Sequence, residues 1–390
     1  MDTSLQLILI CGIIIVAYLI DLFARRTRIP AVLFLIALGV MIRQFSDRFA
    51  LINFDFTTII PVIGTFGLIM IVFEGALELD YQKQKNRMIR NAFLASLTIL
   101  IATAAGITAM FMSLTDQALH TALVNAIPLS IISSAIAIPS VVQMTKKTRE
   151  FITYESTFSD ILGIILFNYV ITYSAINGEV FLMLGAELIL VTLLSLVVCL
   201  LLLFLLKNIS HQVKFILIIA VMVLMFAIGK YFHLSSLILV LAFGLFLKNL
   251  HLFRWPRFRK YFEYDDFGKD FHLLHQITAE GVFLIKTFFF VIFGFIIDFS
   301  ELLNRDTLIT AGAVTAAIYL IRAPFIRLIT GHFMPETFIS PRGLITILLY
   351  LSIPAEHAIR QIGAGVLFLV VLITSFMMLL GRKERPDLSP

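Results

Sequence analysis

Apolar runs about twenty residues long recur along almost the whole chain, and they restrict it to a membrane fold. Of the 390 residues, 60% are hydrophobic and 14% are charged, whereas soluble domains carry about 25% charged residues. A soluble fold has too little interior to cover so much apolar surface. At roughly twenty residues for each spanning helix, the runs predict thirteen spans, at about 4–23, 29–43, 56–78, 88–113, 118–144, 151–176, 180–206, 213–231, 234–248, 277–298, 307–329, 340–358 and 362–381.

Basic residues between the spans predict how the chain is oriented. The odd-numbered connections and the carboxyl-terminal tail hold 21 Lys and Arg residues, and the even-numbered connections hold 5. By the positive-inside rule, we expect an integral protein of the cell membrane with its amino terminus outside and its carboxyl terminus in the cytoplasm. Basic charge distributed in this way faces the lipid bilayer and gives no reason to expect nucleic acid as a partner.

The thirteen spans divide into six, one and six, as two inverted repeats joined by a linker helix require. We predict repeat one at about 4–176, the linker at 180–206 and repeat two at 213–381, within one transmembrane domain, 1–390, that has no soluble regulatory domain. The corresponding fifth and twelfth spans are interrupted by proline and polar residues: Pro128, Ser133, Ser134 and Pro139 in one, Pro341, Arg342, Gly343 and Pro354 in the other. Paired interrupted helices indicate the binding site of a transporter.

The sixth span carries two carboxylates, Glu155 and Asp160, inside an apolar run. A carboxylate in the membrane interior is costly and by default marks a functional site. Ser156 and Asp160 are four residues apart and share a helix face, whereas Glu155 diverges from Asp160 by about 140°. We therefore predict that Asp160 and Ser156 bind a monovalent metal cation together with carbonyls freed by the broken fifth span. Glu155 is expected to form a structural ion pair.

Basic residues within the spans are candidate partners for the buried acids: Lys286, Arg322, Arg327 and Arg342. Because an unpaired charge is costly in lipid, both Arg322 and Arg342 are candidate partners of Glu155 and of Glu74 in the third span. Lys286 is either a gating charge or a packing charge of the tenth span. Arg327 is expected to extend to the cytoplasmic surface.

Taken in order, these residues resemble a known family. The run Glu155-Ser156-x-x-Ser159-Asp160 resembles the Glu-Ser-x-x-Asn-Asp signature of the sodium/proton exchanger branch of the monovalent cation:proton antiporter superfamily. Further resemblances follow the family's order, at Phe73-Glu74-Gly75, Ser133-Ser134-Ala135 with Pro139, Arg322-Ala-Pro324 and Arg342-Gly343. The chain departs from the family at Ser159, where the family has Asn, and at Ile138, where Asp is frequent.

The resemblance implies a secondary active antiporter that exchanges a monovalent cation for protons by alternating access, with both competing for Asp160. Sodium is the favoured cation, with potassium and lithium as alternatives. The resemblance also implies that Ser133, Ser134 and Ser159 line the ion site, that the protein is a homodimer, and that it needs no cofactor. Two other functions stay open: a cation channel or uniporter on the same scaffold, and an organic-anion carrier in which Arg342 binds a carboxylate. The sequence contains no hydrolase motif that would indicate an enzyme.

Overall fold

The computed structural model describes residues 3–27, 29–49, 59–79, 83–173, 178–208, 214–232, 234–252, 267–297, 299–331, 333–359 and 361–382. Within these ranges the regular structure is helical and contains no strand. The α-helices are α1 (Thr3–Thr27), α2 (Ala31–Phe49), α3 (Ile59–Glu78), α4 (Asn86–Thr115), α5 (Leu119–Ser130), α6 (Ser134–Ser140), α7 (Lys146–Thr172), α8 (Gly178–Asn208), α9 (Lys214–Tyr231), α10 (Ser236–Lys248), α11 (Phe267–Ile296), α12 (Phe299–Leu302), α13 (Arg305–Thr330), α14 (Leu344–Leu351) and α15 (Ala364–Met377).

Each predicted span overlaps a helix of the described structure. Five described stretches are long and apolar enough to cross a membrane by length and composition: Asn86–Thr115, Leu119–Ser140, Gly185–Leu205, Gly268–Ile296 and Arg305–Thr330. The start of the tenth span was predicted too late, because α11 begins at Phe267 and not near residue 277. Hydropathy marks the apolar part of a helix and misses polar turns that continue it.

The predicted interruption of the fifth span is confirmed. Helix α5 ends at Ser130, α6 begins at Ser134, and the backbone between them is extended. The twelfth span was predicted at 340–358, but helix α14 covers only Leu344–Leu351 of it, with non-helical backbone on both sides. Proline explains the difference, because Pro341 and Pro354 lack the backbone donor that a helix requires. The relation of the two spans by an inverted repeat stays a prediction.

The chain forms two compact units, one comprising residues 1–64, 87–163 and 284–390, the other residues 65–86 and 164–283. In the first unit, α13 packs against α15, and α14 packs against α5. In the second unit, α10 packs against α8 and α9, and Phe73 stacks on Phe243 with ring centroids 5.8 Å apart.

Helices α2 and α11 cross at two glycines within the first unit. A Cβ at Gly39 would overlap the carbonyl of Val291, and a Cβ at Gly294 would overlap that of Ile36. Beyond the crossing, Arg43 Nη1 donates to the carbonyl of Ile297 at 2.6 Å, at the carboxyl end of α11. Close backbone contact and this charge at the negative end of the helix dipole fix the position of α11.

Candidate functional site

The broken fifth span meets the non-helical backbone of the twelfth inside the first unit. The Ser133 amide donates to the carbonyl of Pro341 at 2.9 Å. A Cβ at Gly343 would lie 2.5 Å from Ser133 Oγ and 2.7 Å from Ile136 Cδ1. A side chain at position 343 would therefore push the two segments apart, and glycine permits their contact.

Helix α7 contributes Ser159 and Asp160 to this break. The Ser134 amide donates to Asp160 Oδ2 at 3.0 Å, and the Ile132 amide donates to Ser159 Oγ at 2.9 Å. Interrupting a helix leaves backbone donors without intrahelical partners, and the two α7 side chains accept from two of them. Asp160 is 5% exposed, and its Oδ1 has no hydrogen-bond partner in the described ranges, nor does the buried Ser133 hydroxyl.

Two further predicted residues lie around Asp160. Ser156 is fully buried one helical turn before it, and the Ser156 hydroxyl donates to the carbonyl of Thr153 at 3.3 Å. Lys286 is half-buried on α11, and its charge acts on the Asp160 carboxylate. The structure thus places a hydroxyl and a positive charge close to a carboxylate that has one open oxygen.

Arg342 binds the carboxyl end of α5. Its Nε donates to the carbonyl of Leu129 at 2.8 Å, and its Nη2 donates to that of Ser130 at 3.3 Å. The last carbonyls of a helix lack intrahelical partners and carry partial negative charge, so a guanidinium suits them. The sequence predicts that the freed carbonyls of the fifth span bind a cation. Arg342 occupies two of them, which leaves those of Ile131 and Ile132 without a hydrogen bond in the described structure.

Arg322 on α13 forms the ion pair with Glu155. Its Nη1 lies 2.6 Å from Glu155 Oε1 and its Nη2 lies 2.9 Å from Oε2, with both side chains fully buried. Arg322 also donates to the carbonyls of Glu336, Thr337 and Ile339, which precede α14. Of the two arginines that the sequence left open as partners of Glu155, the structure selects Arg322. Arg342 thus binds the last carbonyls of α5 and the carbonyl of Ser340, and Arg322 binds carbonyls of the segment before Ser340.

The remaining predicted acid, Glu74, lies on α3 in the second unit. It is half-buried, and its charge acts on His275 of α11, as does that of Lys248. The described contacts of Arg322 and Arg342 are with residues of the first unit.

Three further buried polar residues of the first unit were not predicted from the sequence. Asn125, fully buried on α5, donates to the carbonyl of His357 at 2.7 Å and so ties α5 to the turn after α14. The Thr374 hydroxyl accepts from the Arg342 amide at 3.0 Å. Glu336 is a buried acid before α14. Asn125 could have been found as a polar residue in an apolar span, but the sequence carries no comparable signal for Thr374 or Glu336.

Comparison with known proteins identifies the family. A model of the family described as sodium/hydrogen exchanger, transmembrane, matches residues 11–380. The chain belongs to the sodium/hydrogen exchanger family. Members of this family are integral membrane transporters that exchange sodium and protons, and they are not enzymes. The match spans all the site residues, from Glu74 to Arg342.

The fold of this exchanger is similar to that of a solved antiporter. The structure of the sodium proton antiporter MjNhaP1 from Methanocaldococcus jannaschii at pH 8 matches with a TM-score of 0.70 and 19% identity, over 97% of this chain and 95% of that one. An electron-microscopy structure of the same antiporter matches with a TM-score of 0.69 and 16% identity over the same shares. At 19% and 16% sequence identity, the similarity to these structures establishes the fold alone. A search of curated protein sequences found no significant match.

Proposed function

We propose that this exchanger is a secondary active antiporter in which a monovalent cation and protons compete for Asp160. The observation that carries the proposal is the Asp160 carboxylate, which is buried, bound at Oδ2 by the Ser134 amide and open at Oδ1 within the described structure. A buried charged oxygen without a partner is costly. Binding either a proton or a cation removes this cost.

The two ligands exclude each other for an electrostatic reason. Burial disfavours the ionised carboxylate, whereas a bound cation favours it and displaces the proton. Small monovalent cations prefer oxygen ligands, which Asp160 Oδ1, Ser156 Oγ, Ser133 Oγ and the free carbonyls of the break can supply. Ser134 and Ser159 fix the broken backbone around that position. Sodium is the favoured cation, and potassium and lithium are alternatives.

Antiport further requires that the site faces each side of the membrane in turn, as inverted-repeat transporters achieve by moving one bundle relative to another. We infer that the six-helix unit holding the broken spans moves relative to the remaining helices, that the chain is built of two inverted repeats at about 4–176 and 213–381, and that the exchanger is a homodimer in the cell membrane. Lys286 would then modulate the charge at Asp160, and Arg322 and Arg342 would hold the broken spans.

The contacts of Arg342 disfavour one of the two alternative functions and do not separate the other from an antiporter. An organic-anion carrier would need Arg342 to bind the substrate carboxylate. Arg342 already donates from Nε to the carbonyl of Leu129, from Nη1 to that of Ser340 and from Nη2 to that of Ser130, which disfavours that function. A cation channel or uniporter would use the same oxygen ligands, so flux measurements must separate it from an antiporter.

Asp160→Asn tests the proposal in proteoliposomes held at zero membrane potential. An inward gradient of sodium, lithium or potassium should drive protons outward in the wild type and fail to do so in the variant. Asp306→Asn, which changes an exposed acid at the start of α13, should keep wild-type flux. Full exchange in Asp160→Asn would refute the mechanism, and cation flux without opposite proton movement would favour the channel.

A further inference from the structure

The backbone amide of Arg342, in the non-helical segment before α14, is held by a side chain of α15. It donates to the Thr374 hydroxyl at 3.0 Å, and both residues are fully buried. A buried amide without an acceptor is costly, and the non-helical backbone here offers no intrahelical partner. Thr374 therefore does for the twelfth span what Ser159 does for the fifth, where the Ser159 hydroxyl accepts from the Ile132 amide at 2.9 Å.

Thr374 is itself fixed by two neighbouring groups. Its hydroxyl donates to the carbonyl of Val370 at 2.7 Å, one turn earlier in α15. A hydroxyl has one donor and two acceptor lone pairs, so the oxygen remains available to the Arg342 amide. The Thr374 carbonyl accepts from the Tyr319 hydroxyl of α13 at 3.4 Å, and α13 packs against α15. The backbone position of Arg342 is thereby set from α15.

This backbone position decides which carbonyls the Arg342 guanidinium reaches. Its Nε donates to the Leu129 carbonyl at 2.8 Å and its Nη2 to the Ser130 carbonyl at 3.3 Å, at the end of α5. The next two carbonyls along the chain, those of Ile131 and Ile132, accept no hydrogen bond in the described structure. The proposed function gives these open carbonyls to the transported cation. Arginine-bound and open carbonyls are therefore adjacent along the backbone.

A guanidinium and a metal cation compete for carbonyl oxygens of this kind. Both are positively charged, so an arginine displaced towards the break would cover open carbonyls and repel a cation bound beside them. Without the Thr374 hydroxyl, the buried Arg342 amide would lose its acceptor. An unsatisfied buried amide costs free energy, which favours a shift of the backbone that carries the guanidinium.

We propose that Thr374 is a positioning residue for cation binding. By holding the Arg342 amide, Thr374 keeps the guanidinium on the carbonyls of α5 and leaves those of the break open to the cation. It acts through Arg342, which in turn borders the cation site. The proposal rests on the proposed antiport function, because it assumes a cation bound beside Asp160.

The test measures sodium-driven proton flux in proteoliposomes over a range of sodium concentrations. Thr374→Val keeps the shape of the side chain and removes the acceptor, so it should raise the KM for sodium about fivefold or more while the maximal rate changes less. Thr374→Ser keeps the hydroxyl and should restore the KM to within about twofold of the wild type. Ser375→Ala is the matched control and should keep the wild-type KM. Ser375 is equally buried, follows Thr374 in α15, and its hydroxyl has no hydrogen-bond partner among the described residues.

Three results would overturn the proposal: a wild-type KM in Thr374→Val whatever its maximal rate, a KM in Thr374→Ser as high as in Thr374→Val, or an equal rise in Ser375→Ala. If Thr374→Val does not fold, Tyr319→Phe must raise the KM in the same direction, because it removes the hydrogen bond to the Thr374 carbonyl. An unchanged KM in Tyr319→Phe would then refute the role of Thr374.

A wild type without exchange would refute the proposed function instead. Cation binding is then measured as the rise of the thermal unfolding midpoint with sodium concentration. Thr374→Val should need more sodium than the wild type for the same rise. Equal curves for the two proteins, or no rise in the wild type, would overturn the proposal for Thr374.

Discussion

At the scale of single residues, Arg322 is the side chain on which most of the site's contacts depend. It pairs with both oxygens of Glu155 and binds three carbonyls before α14 while being fully buried. A buried pair as a whole adds little stability, because desolvation offsets attraction, but removal of one partner leaves an uncompensated charge. Arg322 is therefore costly to remove even though it does not contact Asp160 in the described structure.

Arg322→Ala should lower stability strongly. Removing one partner of a buried ion pair costs about 3–5 kcal/mol, and three carbonyls lose their donors as well. Thermal unfolding in detergent should show a much lower midpoint and reduced folded yield. Arg327→Ala, on the same helix but exposed, should leave both unchanged, and equal midpoints for the two variants would contradict the role assigned to Arg322.

Some of these residues could be predicted from the sequence, and others could not. Asp160 was identifiable because an acid within an apolar run is costly by itself. The choice between Arg322 and Arg342 depends on which distant helix lies beside Glu155, and spacing along one helix carries no such information. Glu336 follows Met334 and Pro335 in a segment that resembles an ordinary connection, so its burial was visible only in the structure.

At the scale of elements, the break between α5 and α6 depends on segments that are distant in sequence. The backbone amides of the break donate to the Ser159 hydroxyl, the Asp160 carboxylate and the carbonyl of Pro341. Arg342 donates to the carbonyls that precede the break. The contact with the twelfth span is close enough that Gly343 has no room for a side chain.

Gly343→Ala should therefore destabilise the exchanger and lower its transport rate. The added Cβ would overlap the Ser133 side chain and Ile136, and overpacking of this kind costs about 1–3 kcal/mol. Gly312→Ala on α13 is the matched control, because nothing lies within 4 Å of its Cβ position. Thermal unfolding and sodium-driven proton flux measure both effects. A Gly343→Ala protein as stable and active as Gly312→Ala would show that the contact between the broken fifth span and the backbone at Gly343 is looser than the structure indicates.

Hydropathy predicted where helices occur better than where they end. Every predicted span overlaps a helix, but α14 is short because apolar residues beside Pro341 and Pro354 are as hydrophobic in extended backbone as in a helix. Helix α11 is long because the polar residues Lys269 and Asp270 continue it beyond the apolar run. Hydropathy measures transfer into lipid, whereas helix ends depend on backbone hydrogen bonds.

At the scale of the whole molecule, family membership establishes an integral membrane transporter, and the distribution of basic residues predicts its orientation. The connection between α4 and α5 is expected outside, and the start of α7, with Lys146, Lys147 and Arg149, is expected in the cytoplasm.

Cysteine labelling tests this orientation. In a background with Cys11 and Cys199 replaced, a membrane-impermeant maleimide should label Gln117→Cys in intact cells. It should label Lys147→Cys only after the membrane is permeabilised. Both positions are exposed, so accessibility to the reagent differs by side alone. The opposite pattern would invert the predicted topology.

The two arginines that bind backbone carbonyls in or beside the broken spans also constrain how this protein can diverge from its relatives. Arg342 donates to carbonyls at the end of α5, and Arg322 donates to backbone carbonyls before α14. Glu155 on α7 forms the ion pair with Arg322. A change in one of these segments removes a donor or acceptor from another. Functional chimaeras with a distant relative would have to exchange α5 to α7 and α13 to α14 as one set, even though more than a hundred residues separate the two blocks in the sequence.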